Sequence, residues 1–181
     1  MKFSVKNITI SAQLAVFIAI VSQLTIPLGL IPLTGQTFAV GFVATLVPPS
    51  ISVCAVGIYL LMGIIGIPVF AGFSGGLATV LGPTGGYLIG FFFSAFFISF
   101  LISKKSNSFI WVLLVNVFGA MISLFVGAIG LKIYLDTSMI EALKIGILPF
   151  ILPEVIKAFF ASFLGMKALT VFRKRFPYLI N

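Results

Sequence analysis

The sequence predicts an all-α membrane protein: one bundle of six transmembrane helices with both termini cytoplasmic. Three observations carry this reading. Of 181 residues, 61% are apolar and only 8% are charged, against about a quarter charged in an ordinary soluble domain. The apolar residues fall into successive runs long enough to cross a bilayer. The Lys and Arg residues cluster where an even number of crossings returns the chain to one side.

The first apolar run, Ile8–Pro27, follows Lys2 and Lys6 and at roughly 1.5 Å per residue reaches about 30 Å. More apolar sequence follows directly, unlike the polar chain that follows a cleaved signal peptide, so the run reads as a retained helix. Residues 36–66 are too long for one span. Val47-Pro48-Pro49-Ser50 interrupts them by removing two backbone donors, which predicts two helices, 36–47 and 50–66, the first of them short. Residues 67–83 remain apolar but carry Gly72, Gly75, Gly76 and Gly82 between Pro68 and Pro83. Irregular backbone of this kind must pack on protein or cover a cavity, because lipid cannot satisfy it. Further spans are expected at 84–103, ending at Lys104-Lys105, at 109–133, and at 152–172 ahead of Arg173-Lys174-Arg175.

With a cytoplasmic amino terminus, four crossings return Lys104-Lys105 to the cytoplasm and two more return Arg173-Lys174-Arg175. Five or seven spans leave one cluster outside. The same count puts Lys132, Lys144 and Lys157 on the outer side with Asp136, Glu141 and Glu154, so their charges cancel and the whole net charge of +8 lies inside. The basic balance is therefore topogenic, and the cations form no stripe suited to nucleic acid. With no His and one Cys, Cys54, the chain offers no His/Cys metal cluster, no intrachain disulfide and no histidine-dependent triad. No cofactor is expected, and most enzyme classes are excluded. No separate domain, internal repeat or low-complexity tail is visible.

Glu154 and Lys157 are the most informative pair, because ionisable residues inside a span are costly and usually functional. Three residues apart, they share a helix face. Pro153 suits the first helical position and places both near the outer surface. The pair reads either as an ion pair that anchors the helix end or as the polar part of a pocket open to the outside. The glycines of Ala71-Gly72-Phe73-Ser74-Gly75-Gly76 and Gly82-Pro83-Thr84-Gly85-Gly86-Tyr87 read either as a lid or as a tight helix connection. They are no P-loop, since no Lys-Ser or Lys-Thr follows, so ATP hydrolysis is not expected of this chain. Ser11, Ala15 and Ala19 recur every fourth position and let another helix approach closely, either a partner's or one of the same bundle. Gln36, Thr37 and Asn116 need hydrogen-bond partners in an apolar setting; Asn116, about 10 Å into its helix, is assigned a structural role. Trp111 reads as an interfacial anchor. Ile31-Pro32-Leu33-Thr34-Gly35 is similar to a sortase signal but lies far from the carboxyl terminus, and is discounted.

Three stretches carry a family resemblance: Ile31 to Val40, Gly63 to Gly72, and Gly82-Pro83-Thr84-Gly85-Gly86-Tyr87-Leu88-Ile89-Gly90. Together they resemble BioY, the biotin-specific S component of energy-coupling factor (ECF) transporters, and the match runs from the first helix through the sixth. The resemblance implies a six-helix S-component fold, capture of extracellular biotin beneath the loop between helices three and four, and residence in a prokaryotic plasma membrane. It also implies partnership with a transmembrane coupling subunit, which would dock on Ser11, Ala15 and Ala19, and with two ATPase subunits. The family's sixth helix opens on a Pro-Gly-Asp-x-x-Lys-like motif. Here Leu152-Pro153-Glu154-Val155-Ile156-Lys157 keeps the Lys but has Glu for Asp and Pro for Gly. In such a pocket Glu154 can accept ureido N–H, and Lys157 can meet the ureido carbonyl or the carboxylate. Gln36, Thr37, Thr84, Gly75 and Gly76 can complete the polar contacts, and Tyr87, Phe70 and Phe73 can supply apolar wall. Another vitamin as ligand, or a scaffold role, is the alternative.

Overall fold

The computed structural model describes residues 5–104 and 108–175; Lys2 and Lys105 lie outside the described residues. The first helix, α1 (Val5–Ser22), ends earlier than the apolar run. Pro27 disfavours helix in the residue before it, and the β-branched Thr25 and Ile26 form a short strand, β1. This pairs antiparallel with β2 (Leu33–Thr34), Thr25 opposite Thr34. The hairpin delivers the chain to α2 (Gln36–Leu46). Val47 is extended, and Pro49 opens α3 (Pro49–Ile64) at a position whose N–H is not needed, so the break falls at the paired prolines.

The Gly-rich connection is more ordered than expected. It holds a 3₁₀ turn, Ala71–Phe73, and a short helix, α4 (Leu77–Leu81). Two long helices follow, α5 (Gly85–Lys104) and α6 (Phe109–Leu135). Asp136, left-handed at φ 49°, stops α6. The connection to the last helix contains α7 (Met139–Gly146), whose Ser138 Oγ accepts from Glu141 N as an N-cap. A 3₁₀ turn at Leu148–Phe150 leads into α8 (Ile151–Arg175), so Pro153 stands third in the helix and not first. Among the described residues, four stretches are long and apolar enough to cross a membrane: Val5–Ser22, Gly85–Lys104, Phe109–Leu135, and the α7–α8 stretch Met139–Phe172. The apolar helices α2 and α3 are shorter. At 11 residues, α2 reaches only roughly 16 Å.

Its surroundings explain how so short a helix is kept. It packs against α8, α5, α1, α6 and α3, and Ala39, Val40, Gly41 and every residue from Val43 to Leu46 are buried. A helix covered on all sides needs no lipid-facing surface of its own. Asn116 fastens it to α6. Asn116 Nδ2 donates to Thr45 Oγ1 at 3.0 Å and to Val112 O at 3.0 Å, while Thr45 Oγ1 donates to Gly41 O at 2.8 Å. Lipid-facing positions are taken by exposed phenylalanines such as Phe93, Phe96, Phe118 and Phe160. Trp111 is half-buried against the cluster of Ile98, Ile102 and Val112.

Two glycines of the Gly82 to Gly90 stretch let α5 and α6 pack closely. Gly86 and Gly90, four residues apart on α5, face α6 so closely that a Cβ on Gly86 would lie 2.9 Å from Gly130 Cα. One on Gly90 would lie 2.8 Å from Ser123 backbone. This is small-xxx-small packing. The Ser11 face of α1 is also used within the chain. Ser11 and Ala15 are 0% exposed, and Ser11 Oγ donates to Ile51 O of α3 at 3.2 Å. Only Ala19 is partly uncovered. Ser11 and Ala15 are thus covered within the chain, and Ser11 ties α1 to α3. Because the neighbour at Gly90 is backbone and cannot step aside, Gly90→Val is expected to cost about 2 kcal/mol or more, read as a lowered unfolding midpoint of the detergent-solubilised protein; an unchanged midpoint would mean that α5 and α6 are not packed this closely.

Candidate functional site

The amino termini of α2, α5 and α8 meet at one end of the bundle and, with the Gly-rich connection, enclose a cavity of about 230 Å³. Thr34, Gln36 and Thr37 reach it from the hairpin and the start of α2. Thr84, Tyr87, Leu88 and Phe91 come from α5, Phe70, Ala71, Ser74 and Thr79 from the connection, and Glu154 and Lys157 from the first turns of α8. The proline-free hairpin exit at Gly35 matters here. A Cβ on Gly35 would lie 2.4 Å from Val21 O, so glycine lets α2 begin tight against α1 and carries Thr34 to the cavity wall.

The polar chemistry centres on Glu154, which is 3% exposed. Its Oε1 accepts from Lys157 Nζ in a close ion pair and from Thr37 Oγ1 at 3.0 Å. Lys157 Nζ also donates to Thr34 O at 3.0 Å and to Thr37 Oγ1 at 2.6 Å. Glu154 Oε2 is buried without a hydrogen-bond partner, an expensive condition for a carboxylate oxygen. Gln36 orients its neighbours: Nε2 donates to Tyr59 OH at 2.6 Å, and Oε1 accepts from Thr34 Oγ1 at 2.9 Å.

The connection is held down at two places. Phe70, 1% exposed, lies edge-on to Tyr59 at 5.5 Å between centroids and over Gly63, where any Cβ would meet its ring at about 2 Å. Gln23, just past α1, clamps the same segment. Its Nε2 lies 3.2 Å from Phe70 O and 3.3 Å from Val69 O, and its Oε1 accepts from Phe73 N at 2.8 Å. Ser22 Oγ donates to Val69 O at 2.6 Å. Phe73 itself points outward, 71% exposed, at φ 56°.

Seven of the residues singled out in the sequence therefore line the cavity: Glu154, Lys157, Gln36, Thr37, Thr84, Tyr87 and Phe70. Gly75 and Gly76 do not. Gly76 N donates to Gly63 O at 2.6 Å, and Gly75 sits so close to Ile67 O that no Cβ fits. These two glycines close the stem of the connection, which is why they read like ligand-approach glycines in sequence. Ile31, Pro32, Leu33 and Thr34, set aside as an irrelevant sortase-like string, form part of the wall. The signal for them was their place inside the family-like stretch Ile31 to Val40. Ser22 and Gln23 carried no signal beyond polarity at a helix end.

The BioY family model matches residues 1–174. The chain belongs to the BioY family. Among BioY proteins, the biotin transporter BioY2 of Lactococcus lactis subsp. cremoris is 36% identical over 175 residues, covering 97% of this chain and 96% of its own. The biotin transporter BioY of Thermotoga maritima is 37% identical over 150 residues, 83% of this chain and 88% of its own. A crystal structure of the S-component for biotin from an ECF-type ABC transporter superposes with a TM-score of 0.86 at 31% identity, covering 98% of this chain and 96% of that one.

Removing one member of a buried ion pair strands the other. Lys157→Met is therefore expected to destabilise the protein by on the order of 3 kcal/mol, and the double variant Glu154→Gln/Lys157→Met should recover part of the loss. Thermal unfolding in detergent measures both; equal midpoints for the single and double variants would show that the pair is not coupled.

Proposed function

We propose that this protein is the substrate-binding S component of an ECF-type vitamin transporter, capturing extracellular biotin for ATP-driven uptake by partner subunits. The observation that carries the reading is the buried Glu154–Lys157 pair in the wall of a small, otherwise mostly apolar cavity, in a chain of the BioY family. Biotin has a fused apolar ring body, a ureido head with two N–H donors, and a valerate tail. A concave apolar site with a few convergent polar groups suits such a molecule. The buried Glu154 Oε2, which has no hydrogen-bond partner among the described residues, is the acceptor a ureido N–H needs.

In this reading α1, α2, α3, α5, α6 and α8 make the six crossings of a prokaryotic plasma membrane, with both termini cytoplasmic and the cavity opening outward. The short α2 shares its crossing with the hairpin and the proline break. A transmembrane coupling subunit and two ATPase subunits supply the energy, and the chain itself hydrolyses no ATP. The coupling subunit docks on the open surface of α1, where Ala19 is the one small residue of its row still partly exposed. A scaffold role has less support than transport, because the family match and the biotin S-component neighbour favour the latter.

Isothermal titration of the purified protein with biotin is expected to show tight binding, weakened about tenfold or more in Glu154→Gln because the lost charge turns a charge-assisted hydrogen bond into a neutral one. Folded protein that takes up no biotin but binds thiamine or riboflavin would reassign it to another vitamin.

A further inference from the structure

Tyr59 stands near the end of α3, 0% exposed, and is not among the residues that line the cavity. It nevertheless touches both of the parts that enclose it. Its hydroxyl accepts from Gln36 Nε2 of the polar wall at 2.6 Å, and its ring meets Phe70 of the cover edge-on, 5.5 Å between centroids. A phenol has a single proton to donate. Because Gln36 arrives as a donor, that proton must go elsewhere, and the other side-chain partner of the hydroxyl is Ser22. Ser22 Oγ in turn accepts from Gln23 Nε2 at 2.9 Å and shares its own proton between Val69 O and Ala19 O, each at 2.6 Å. The bonds therefore run in one direction, from Gln36 through Tyr59 and Ser22 to the backbone of the cover at Val69.

The same direction settles how Gln36 is held. Its Oε1 takes the proton of Thr34 and one Nε2–H goes to Tyr59, so the second Nε2–H is what this cavity-lining amide can offer a ligand. A proton turned from Tyr59 toward Gln36 would demand an oxygen there and turn the amide over. We infer that Tyr59 is a positioning residue for the ligand site: it acts through Gln36 and makes the setting of the polar wall depend on the cover lying in place. When the segment at Val69 and Phe70 lifts, Ser22 loses an acceptor and the Tyr59 ring loses its neighbour, and each bond of the chain weakens the next. Such coupling is reciprocal, so the cover tightens the ligand by the factor by which the ligand tightens the cover. This rests on the proposed reading of the cavity as a biotin site and adds to it a residue outside the cavity wall.

Hydrogen exchange of the purified protein with and without saturating biotin, together with titration calorimetry, tests the coupling. In the unmodified protein, biotin is expected to slow exchange at the amides of Phe70 and Phe73, which are bonded to Ser74 O and Gln23 Oε1. Tyr59→Phe keeps the ring against Phe70 and removes the hydroxyl. It is expected to bind biotin about tenfold more weakly and, at saturating biotin, to lose that slowing. Ser22→Ala breaks the same chain one bond further on, so the double variant should bind no more than about twofold more weakly than Tyr59→Phe alone. Amides slowed as much in Tyr59→Phe as in the unmodified protein, or losses that add, would overturn the coupling and leave Tyr59 a packing residue. Should Tyr59→Phe not fold, Ser22→Ala with Tyr59 intact gives the same exchange comparison and decides. Without ligand, the Phe73 amide is expected to exchange faster in either variant than in the unmodified protein, and equal rates overturn the coupling whatever the cavity binds. Folded, unmodified protein that takes up no biotin defeats the biotin reading instead, and the ligand-free comparison still decides the role of Tyr59.

Discussion

A buried ion pair in an apolar bundle must be satisfied from several directions at once, and the architecture at this end of the molecule is arranged around that requirement. Glu154 and Lys157 stand on one helix, but the groups that complete them come from another part of the chain, the carbonyl of Thr34 and the hydroxyl of Thr37. Those two can be presented together only if the hairpin ends and α2 begins within a few residues. The helix that follows must then dive directly into the bundle. The paired prolines end it after 11 residues, before it would need a lipid-facing side.

The polar groups are accordingly arranged in two tiers. Gln36 and Thr37 hold other side chains in place, Gln36 by joining Thr34 to Tyr59 and Thr37 by standing between acid and base. Glu154 keeps one oxygen without a partner. Satisfied neighbours make the direction of that oxygen well defined, since a carboxylate held by two donors on one side has little freedom to rotate.

Features with a chemical or topological cost were legible in the sequence. A Glu and a Lys inside an apolar run, two adjacent prolines, basic clusters at helix ends and a lone Asn in a span all stand out against an apolar background. What stayed hidden was geometry that leaves no side-chain mark. The acceptor for Lys157 at Thr34 is a backbone carbonyl, and two-residue strands are too short to show an alternating pattern. The spacing of Ser11, Ala15 and Ala19 announced a close helix neighbour without saying which, and at Ser11 it is α3. Glycine carries the same ambiguity: Gly75 and Gly76, read in the sequence as ligand contacts, close a loop stem, while Gly86 and Gly90 serve helix packing.

The clamp at Gln23 shows how the cover over the cavity divides its tasks. The amide contacts Val69, Phe70 and Phe73 through backbone groups alone, so it fixes where the segment sits whatever side chains the segment carries. These bonds lie near an outward-pointing Phe73, and water can replace each of them at small net cost. The ring of Phe70, shut between Tyr59 and Gly63, has no such substitute, because withdrawing it leaves an apolar void. Placement of the cover and its holding energy therefore reside in different residues, and a change in one can alter how firmly the cavity is shut without altering where its wall stands.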